Sequence, residues 1–138
     1  MPEKPFKLEV ITPDRVVLSD REIVSVVAPG VEGYLGVLAN HAPLMTELTV
    51  GELDLRRADG ASDSMAVNEG FMEVHENTVT VLTDTAELRG EIDIERAESA
   101  LRRAEERLAA PSADIDTERA RVALMRAINR LRVAQHAR

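Results

Sequence analysis

The sequence predicts a mostly β N-terminal sandwich or flattened barrel followed by an antiparallel α-helical hairpin. Three observations predict it. From Phe6 to Thr83 the apolar residues recur in twos between turn residues, as about eight to ten short strands would place them. From Ile94 onward they recur in threes and fours, the period of a helix with one apolar face. Between the two regimes lies Glu91-Ile92-Asp93-Ile94-Glu95-Arg96-Ala97. There Asp93 is placed to cap a helix, and Ile92 to pack on Ala97 as a hydrophobic staple. The chain therefore divides into a β-sandwich over 1–89 and a two-helix hairpin over 90–138.

The strands follow in order. Phe6, Leu8 and Val10 alternate with Lys7 and Glu9, a half-buried strand. Thr12-Pro13-Asp14-Arg15 turns, Val16-Val17-Leu18 is a short strand, and Ser19-Asp20 is expected to turn again. Ile23 to Ala28 is nearly all apolar, like a strand covered on both faces, and Pro29-Gly30 ends it. Tyr34–Leu38 and Leu44–Leu48 flank the turn Asn40-His41-Ala42-Pro43. Leu53 and Leu55 alternate with polar residues up to the hairpin turn Asp59-Gly60. Met65–Val67 and Phe71–Val74 follow, with Gly70 expected to be a bulge. Glu76-Asn77 then turns into Thr78–Thr83.

The helices rest on two narrow stripes. Ile94, Ala97, Leu101, Ala104 and Leu108 form the first, which Pro111-Ser112 stops. Ala120, Leu124, Ala127, Leu131 and Ala134 form the second, capped by Asp114 or Asp116. Both stripes are rich in Ala. An Ala buries far less area than a Leu, whose burial gives roughly 1.5–3 kcal/mol. The hairpin is therefore expected to be marginally held and able to open.

Composition narrows the function. The chain has 138 residues and is 44% hydrophobic but only 2% aromatic, so its core is aliphatic. Cys is absent, which excludes disulfides, thiolate metal sites and a Cys nucleophile. The three histidines stand in no nucleophile motif, and no metal-ligand spacing, P-loop or GxGxxG occurs, so neither catalysis nor a metal site is expected. No signal peptide and no membrane span are expected, so any membrane association runs through a partner. Residues 1–90 hold 7 Lys/Arg against 16 Asp/Glu, which speaks against nucleic acid. Residues 117–138 hold 6 Arg against the single Glu118. That basic end suits an acidic surface or a phosphate, or else is a solvated helix face.

Three motifs carry a resemblance. Gly33-x-x-Gly36-x-Leu38-x-x-His41-x-Pro43-Leu44, then Val67-x-x-Gly70-Phe71-x-Glu73-Val74, then Ile92-Asp93-x-x-Arg96-Ala97 occur in order along essentially the whole chain. They resemble the signature segments of the epsilon subunit family of bacterial F-type ATP synthase. One departure is Glu69-Gly70-Phe71, where relatives often carry Gly-Gly-Phe.

The resemblance implies a non-catalytic central-stalk subunit of a proton-translocating synthase, peripheral on the cytoplasmic face of the cell membrane. It implies that the sandwich binds the gamma subunit and the ring of membrane subunits, with Gly33, Gly36, Leu38, His41, Pro43 and Leu44 at the interface. It implies that the hairpin can extend into the catalytic head of alpha and beta subunits and inhibit ATP hydrolysis. Arg119, Arg121, Arg126, Arg130 and Arg132 would then face acidic beta segments. No cofactor is required, but some relatives bind ATP as a regulatory ligand. The matching positions here are Glu87, Asp93, Arg96, Ala97, Arg103, Arg126 and Arg130. Each has a plainer reading: Gly33 and Gly36 serve tight turns, His41 bonds its own loop, Asp93 is a cap, and the arginines are a solvated face. A stand-alone ATP-sensing module and a generic sandwich-plus-hairpin adaptor are the alternative functions.

Overall fold

The computed structural model describes residues 3–110 and 112–136. Nine strands form one continuous hydrogen-bonded system, followed by two helices. The strands are β1 (Phe6–Ile11), β2 (Val16–Gly30), β3 (Gly33–Val37), β4 (Leu44–Leu48), β5 (Gly51–Arg57), β6 (Ser62–Val67), β7 (Gly70–His75), β8 (Thr78–Thr83) and β9 (Ala86–Leu88). A 3-10 turn at Arg89–Glu91 leads into α1 (Ile94–Ala109), and α2 (Thr117–Gln135) returns beside it.

The sandwich is organised by β2, which belongs to both layers. Its first half pairs with β1, which continues through β8 and β7 to β4. Its second half pairs with β3 on one side and with β5, β6 and β9 on the other. The pairings are antiparallel except for β1 with β8, which run parallel. The two inner faces meet in an aliphatic core that includes Leu8, Ile23, Leu48, Leu53, Met65 and Met72, each essentially without solvent contact.

Three local expectations are corrected. Val16–Leu18 and Ile23–Ala28 are one 15-residue strand, with no turn at Ser19-Asp20. Phe6 faces Ile23 while Leu8 faces Asp20, so three steps of β2 oppose two of β1. The polar pair marks a bulge, which bends a strand without ending it. Asp20 stabilises the bend: its Oδ1 accepts from the Glu22 N–H at 2.8 Å and its Oδ2 from Arg57 Nε at 3.0 Å. Nor is Ile23–Ala28 covered on both faces, because Ser25 and Val27 are only half-buried. Gly70 is not a bulge either. The β7–β8 register runs unbroken from Gly70 against Thr83 to His75 against Thr78. A Cβ at Gly70 would overlap the Leu82 carbonyl oxygen, so this glycine marks a close approach of two main chains.

The hairpin follows its caps. Asp93 Oδ1 accepts from the Arg96 N–H at 3.1 Å, and Asp116 Oδ1 from that of Arg119 at 3.0 Å. α1 ends at Ala109, where the Ala110 N–H bonds back to the Glu106 carbonyl; the expected stop at Pro111 lies outside the described residues. Ala97, Ala104, Ala120 and Ala127 are buried where the helices meet, as the Ala-rich stripes require. Ile94 departs from its stripe and is 41% exposed. Ile92 is buried with Ala66, Val133 and Ala134, so it fastens α2 to the sheet in addition to standing before the α1 cap.

Candidate functional site

Where the hairpin meets the sandwich, a groove of about 440 Å³ opens between α2, the start of α1 and the β1–β2 turn. Arg96, Arg126 and Arg130 line it from the helices. Asn68, Asp84, Thr85 and Glu87 line it from the strands, and Thr12, Asp14 and Arg15 from the turn. Arg130 is locked to Glu87 by two parallel bonds, Nε to Oε1 at 2.6 Å and Nη2 to Oε2 at 3.1 Å. Both side chains are largely covered, which makes this geometry stronger than an exposed ion pair. Arg126, one helical turn before, has a buried Nε with no hydrogen-bond partner among the described residues. A buried guanidinium N–H without an acceptor is costly, and an anion in the groove would relieve it.

The seven residues that the resemblance matched to a regulatory ATP site are divided by this geometry. Glu87, Arg96, Arg126 and Arg130 share the groove. Asp93 is not part of the lining; it is the cap that fixes Arg96 on the first turn of α1. Ala97 is fully buried. Arg103 is exposed, and the groove lining does not include it. The lining thus carries four arginines against Asp14, Asp84 and Glu87, so it is closer to neutral than a bare cluster of guanidinium groups. Arg15 supplies a cation that the sequence reading missed; it reaches Glu91 at 3.4 Å and closes the groove from the sandwich side. Its only sequence signal was a turn.

The expected interface residues lie on β3, on the loop that follows it and at the start of β4. Gly33 opens β3 with φ +129, a conformation that favours glycine, while Gly36 sits inside the strand opposite Val27. His41 Nδ1 lies 2.7 Å from the Ala42 carbonyl; that oxygen can only accept, so Nδ1 carries the proton. Asn77 holds the same loop by accepting from the Asn40 N–H at 2.7 Å. Pro43 is exposed and Leu44 half-buried at the start of β4. Leu38 is exposed, as are Val31, Tyr34 and Met45. Across the outer face of β7 and β8, Phe71 and Leu82 are direct cross-strand neighbours and both about half exposed.

The basic helix is split by its own geometry. Arg126 and Arg130 turn into the groove. Arg119, Arg121 and Arg132 are exposed, and Arg121 is paired to Glu118 at 2.9 Å. Asn129 between them is buried and donates to the Gly51 carbonyl at 2.9 Å.

Comparison with known proteins decides the family. The family model described as "ATP synthase, Delta/Epsilon chain, beta-sandwich domain" matches residues 5–89. The one described as "ATP synthase, Delta/Epsilon chain, long alpha-helix domain" matches residues 91–135. The chain belongs to the ATP synthase delta/epsilon family. It is 51% identical to the ATP synthase epsilon chain of Pelotomaculum thermopropionicum, over 79% of this chain and 80% of that one. It is 48% identical to that of Desulforamulus reducens, over 96% and 98%. In a cryo-EM structure of Euglena gracilis mitochondrial ATP synthase, described as OSCP/F1/c-ring in rotational state 1, one chain is similar with a TM-score of 0.80 and 26% identity. That similarity covers 96% of this chain and 82% of that one. A chain in the central stalk and c-ring of the Tetrahymena thermophila enzyme shares the fold, with a TM-score of 0.59. Delta/epsilon family membership thus accounts for both halves of the molecule and for their order.

Proposed function

We propose that the chain is the epsilon-type central-stalk subunit of a proton-translocating F-type ATP synthase and regulates ATP hydrolysis through its helical hairpin. The sandwich docks on the gamma subunit and on the ring of membrane subunits. The exposed apolar side chains Val31, Tyr34, Leu38, Met45, Phe71 and Leu82 support this, because a surface that offers them so freely is suited to a partner. Among the described residues no helix is long and apolar enough to cross a membrane. In this reading the subunit is peripheral on the cytoplasmic face and reaches the bilayer only through its partners.

The hairpin is the regulatory part. Docked on the sandwich, it presents Arg126 and Arg130 to the groove; extended, it presents all five arginines of α2 to acidic surfaces of the alpha and beta subunits. ATP is the ligand that favours the docked form. The observation that carries this is the buried Nε of Arg126, without a hydrogen-bond partner among the described residues, beside the Arg130–Glu87 pair. Guanidinium groups suit phosphate oxygens in number and geometry. Arg96, Arg126 and Arg130 would hold the phosphates, while Asp93 keeps Arg96 in place.

A ligand shifts such an equilibrium only by its difference in affinity for the two forms. The groove is built from both domains, so it exists only when the hairpin is docked. At 100 times its dissociation constant, such a ligand favours that form by about 2.7 kcal/mol. Calorimetric titration of the chain with ATP tests the reading. Arg126→Ala with Arg130→Ala should weaken binding at least tenfold, and Arg103→Ala, outside the groove, should weaken it much less. Equal binding by the double variant would overturn the assignment.

A further inference from the structure

Strand β5 carries two carboxylates on one side. Glu52 and Asp54 are two residues apart, and the period of a strand points both away from the core side taken by Leu53 and Leu55. The end of α2 crosses over that side. Asn129 reaches the Gly51 carbonyl, and His136, the C-cap of α2, brings its Nδ1 to 2.6 Å from Glu52 Oε1. Glu52, Asp54 and His136 each offer one ligand atom, and these atoms all lie within 4.8 Å of one another.

We propose that Glu52, Asp54 and His136 form a binding site for a divalent cation of the zinc class, which staples the last turn of α2 to β5. One imidazole nitrogen with two carboxylate oxygens is a ligand set for borderline divalent metals. Zinc holds such ligands at about 2.0–2.2 Å and leaves a fourth position for water. His136 Nδ1 and Glu52 Oε1 already lie 2.6 Å apart, and the Asp54 carboxylate supplies the third atom within the same 4.8 Å. The supporting groups that orient metal ligands are also in place. Ser64, fully buried, donates its Oγ to Asp54 Oδ1 at 2.6 Å. Arg89 Nη1 donates to the His136 carbonyl at 2.8 Å and fixes the residue that carries the imidazole. With no Cys in the chain, no thiolate competes for the ion. The site escapes sequence spacing because its imidazole stands 84 positions from Glu52. It joins the two domains at a point separate from the arginine groove, so it stands whether or not that groove takes ATP.

Zinc chloride titrated into the full chain, read by calorimetry and by amide hydrogen exchange, tests the site. One zinc should bind per chain, and exchange over residues 129–135 should slow. His136→Gln, and separately Glu52→Gln with Asp54→Asn, should each weaken binding by about tenfold or more and remove that protection. His41→Gln with His75→Gln should change neither. Unchanged binding in the His136 variant, binding without added protection of α2, or no binding at millimolar zinc would overturn the proposal.

Discussion

A methyl group at Gly70 would collide with the main chain of β8. The nearest atoms to its Cβ are the carbonyl oxygen of Leu82 and, at 2.8 Å, the Cα of Thr83. Neither can swing away as a side-chain end can, so one strand must move. Gly70→Ala should therefore destabilise the sandwich by on the order of 3 kcal/mol, as overpacking against fixed atoms does, measured by urea unfolding. Asp20 makes the opposite argument, for a group that stabilises through charge. The backbone N–H of Glu22, and after it the Arg57 guanidinium, hold its carboxyl below the usual carboxylate range. A depressed folded-state pKa contributes stability that is present above the unfolded value of about 3.9 and lost as pH falls below it. Asp20→Asn should thus cost about 0.5–1 kcal/mol at pH 7, and the difference should shrink steadily in unfolding curves taken at pH values below the unfolded value of about 3.9. The sequence marked both positions but gave each the wrong part, Gly70 as a bulge and Ser19-Asp20 as a turn. Their true roles, a close approach and a bulge, depend on the neighbouring strand, which local sequence does not describe.

Elements with a strong period were legible and elements fixed by contact were not. β1 and β5 bury alternate residues and the sequence alternates with them, whereas β8 keeps the burial period but ends on an exposed Leu82 and a buried Thr83. The helices begin where their Asp caps say they should. β9 and the 3-10 turn are three residues each, too short to show a period; they exist because β9 pairs with β6. α2 is the instructive case. Its Ala stripe faces α1, but a second strip, Asn129 and Val133, faces the sheet and is just as buried. Asn129 hid that strip because it is polar, yet its amide is what the sheet needs: it donates to Gly51 and, at 3.5 Å, to Val67. Asn129→Ala would leave those carbonyls without that donor under the helix, which costs about 1–3 kcal/mol. Because the loss falls on the docked form only, amide exchange over 117–135 should speed up while the sandwich strands stay as protected as before.

At the scale of the whole molecule, two domains of unequal security are joined by few and specific contacts. The sandwich has a continuous core of buried aliphatic side chains. The hairpin is attached to it by the small cluster of Ala66, Ile92, Val133 and Ala134, by Asn129, by the Arg130–Glu87 pair, and by Arg89 and Glu52 on His136. Several of these contacts are polar groups that water could satisfy almost as well, so their net worth is small against the entropy of a free hairpin. The site shows the same division of legibility. That Arg96, Arg126 and Arg130 belong together was implied by the family resemblance, and the groove does bring them together. That Arg103 stays outside, that Arg15 joins, and that Glu87 already engages Arg130 could not be read from the sequence, because each follows from how the hairpin sits on the sandwich. The proposed control needs such a seating, since an element held by a few weak contacts can be released by the loss of one. Deleting residues 91–138 should therefore leave a sandwich that still assembles into the synthase, while ATP hydrolysis by the assembled complex loses its inhibition. The measurement is the hydrolysis rate of complexes carrying full-length or shortened chain across a range of ATP concentrations. With ATP as the proposed docking ligand, the rates should diverge most at low ATP. Identical rates at every concentration would mean that the hairpin is a passive brace, and its arginines no more than the wall of a groove.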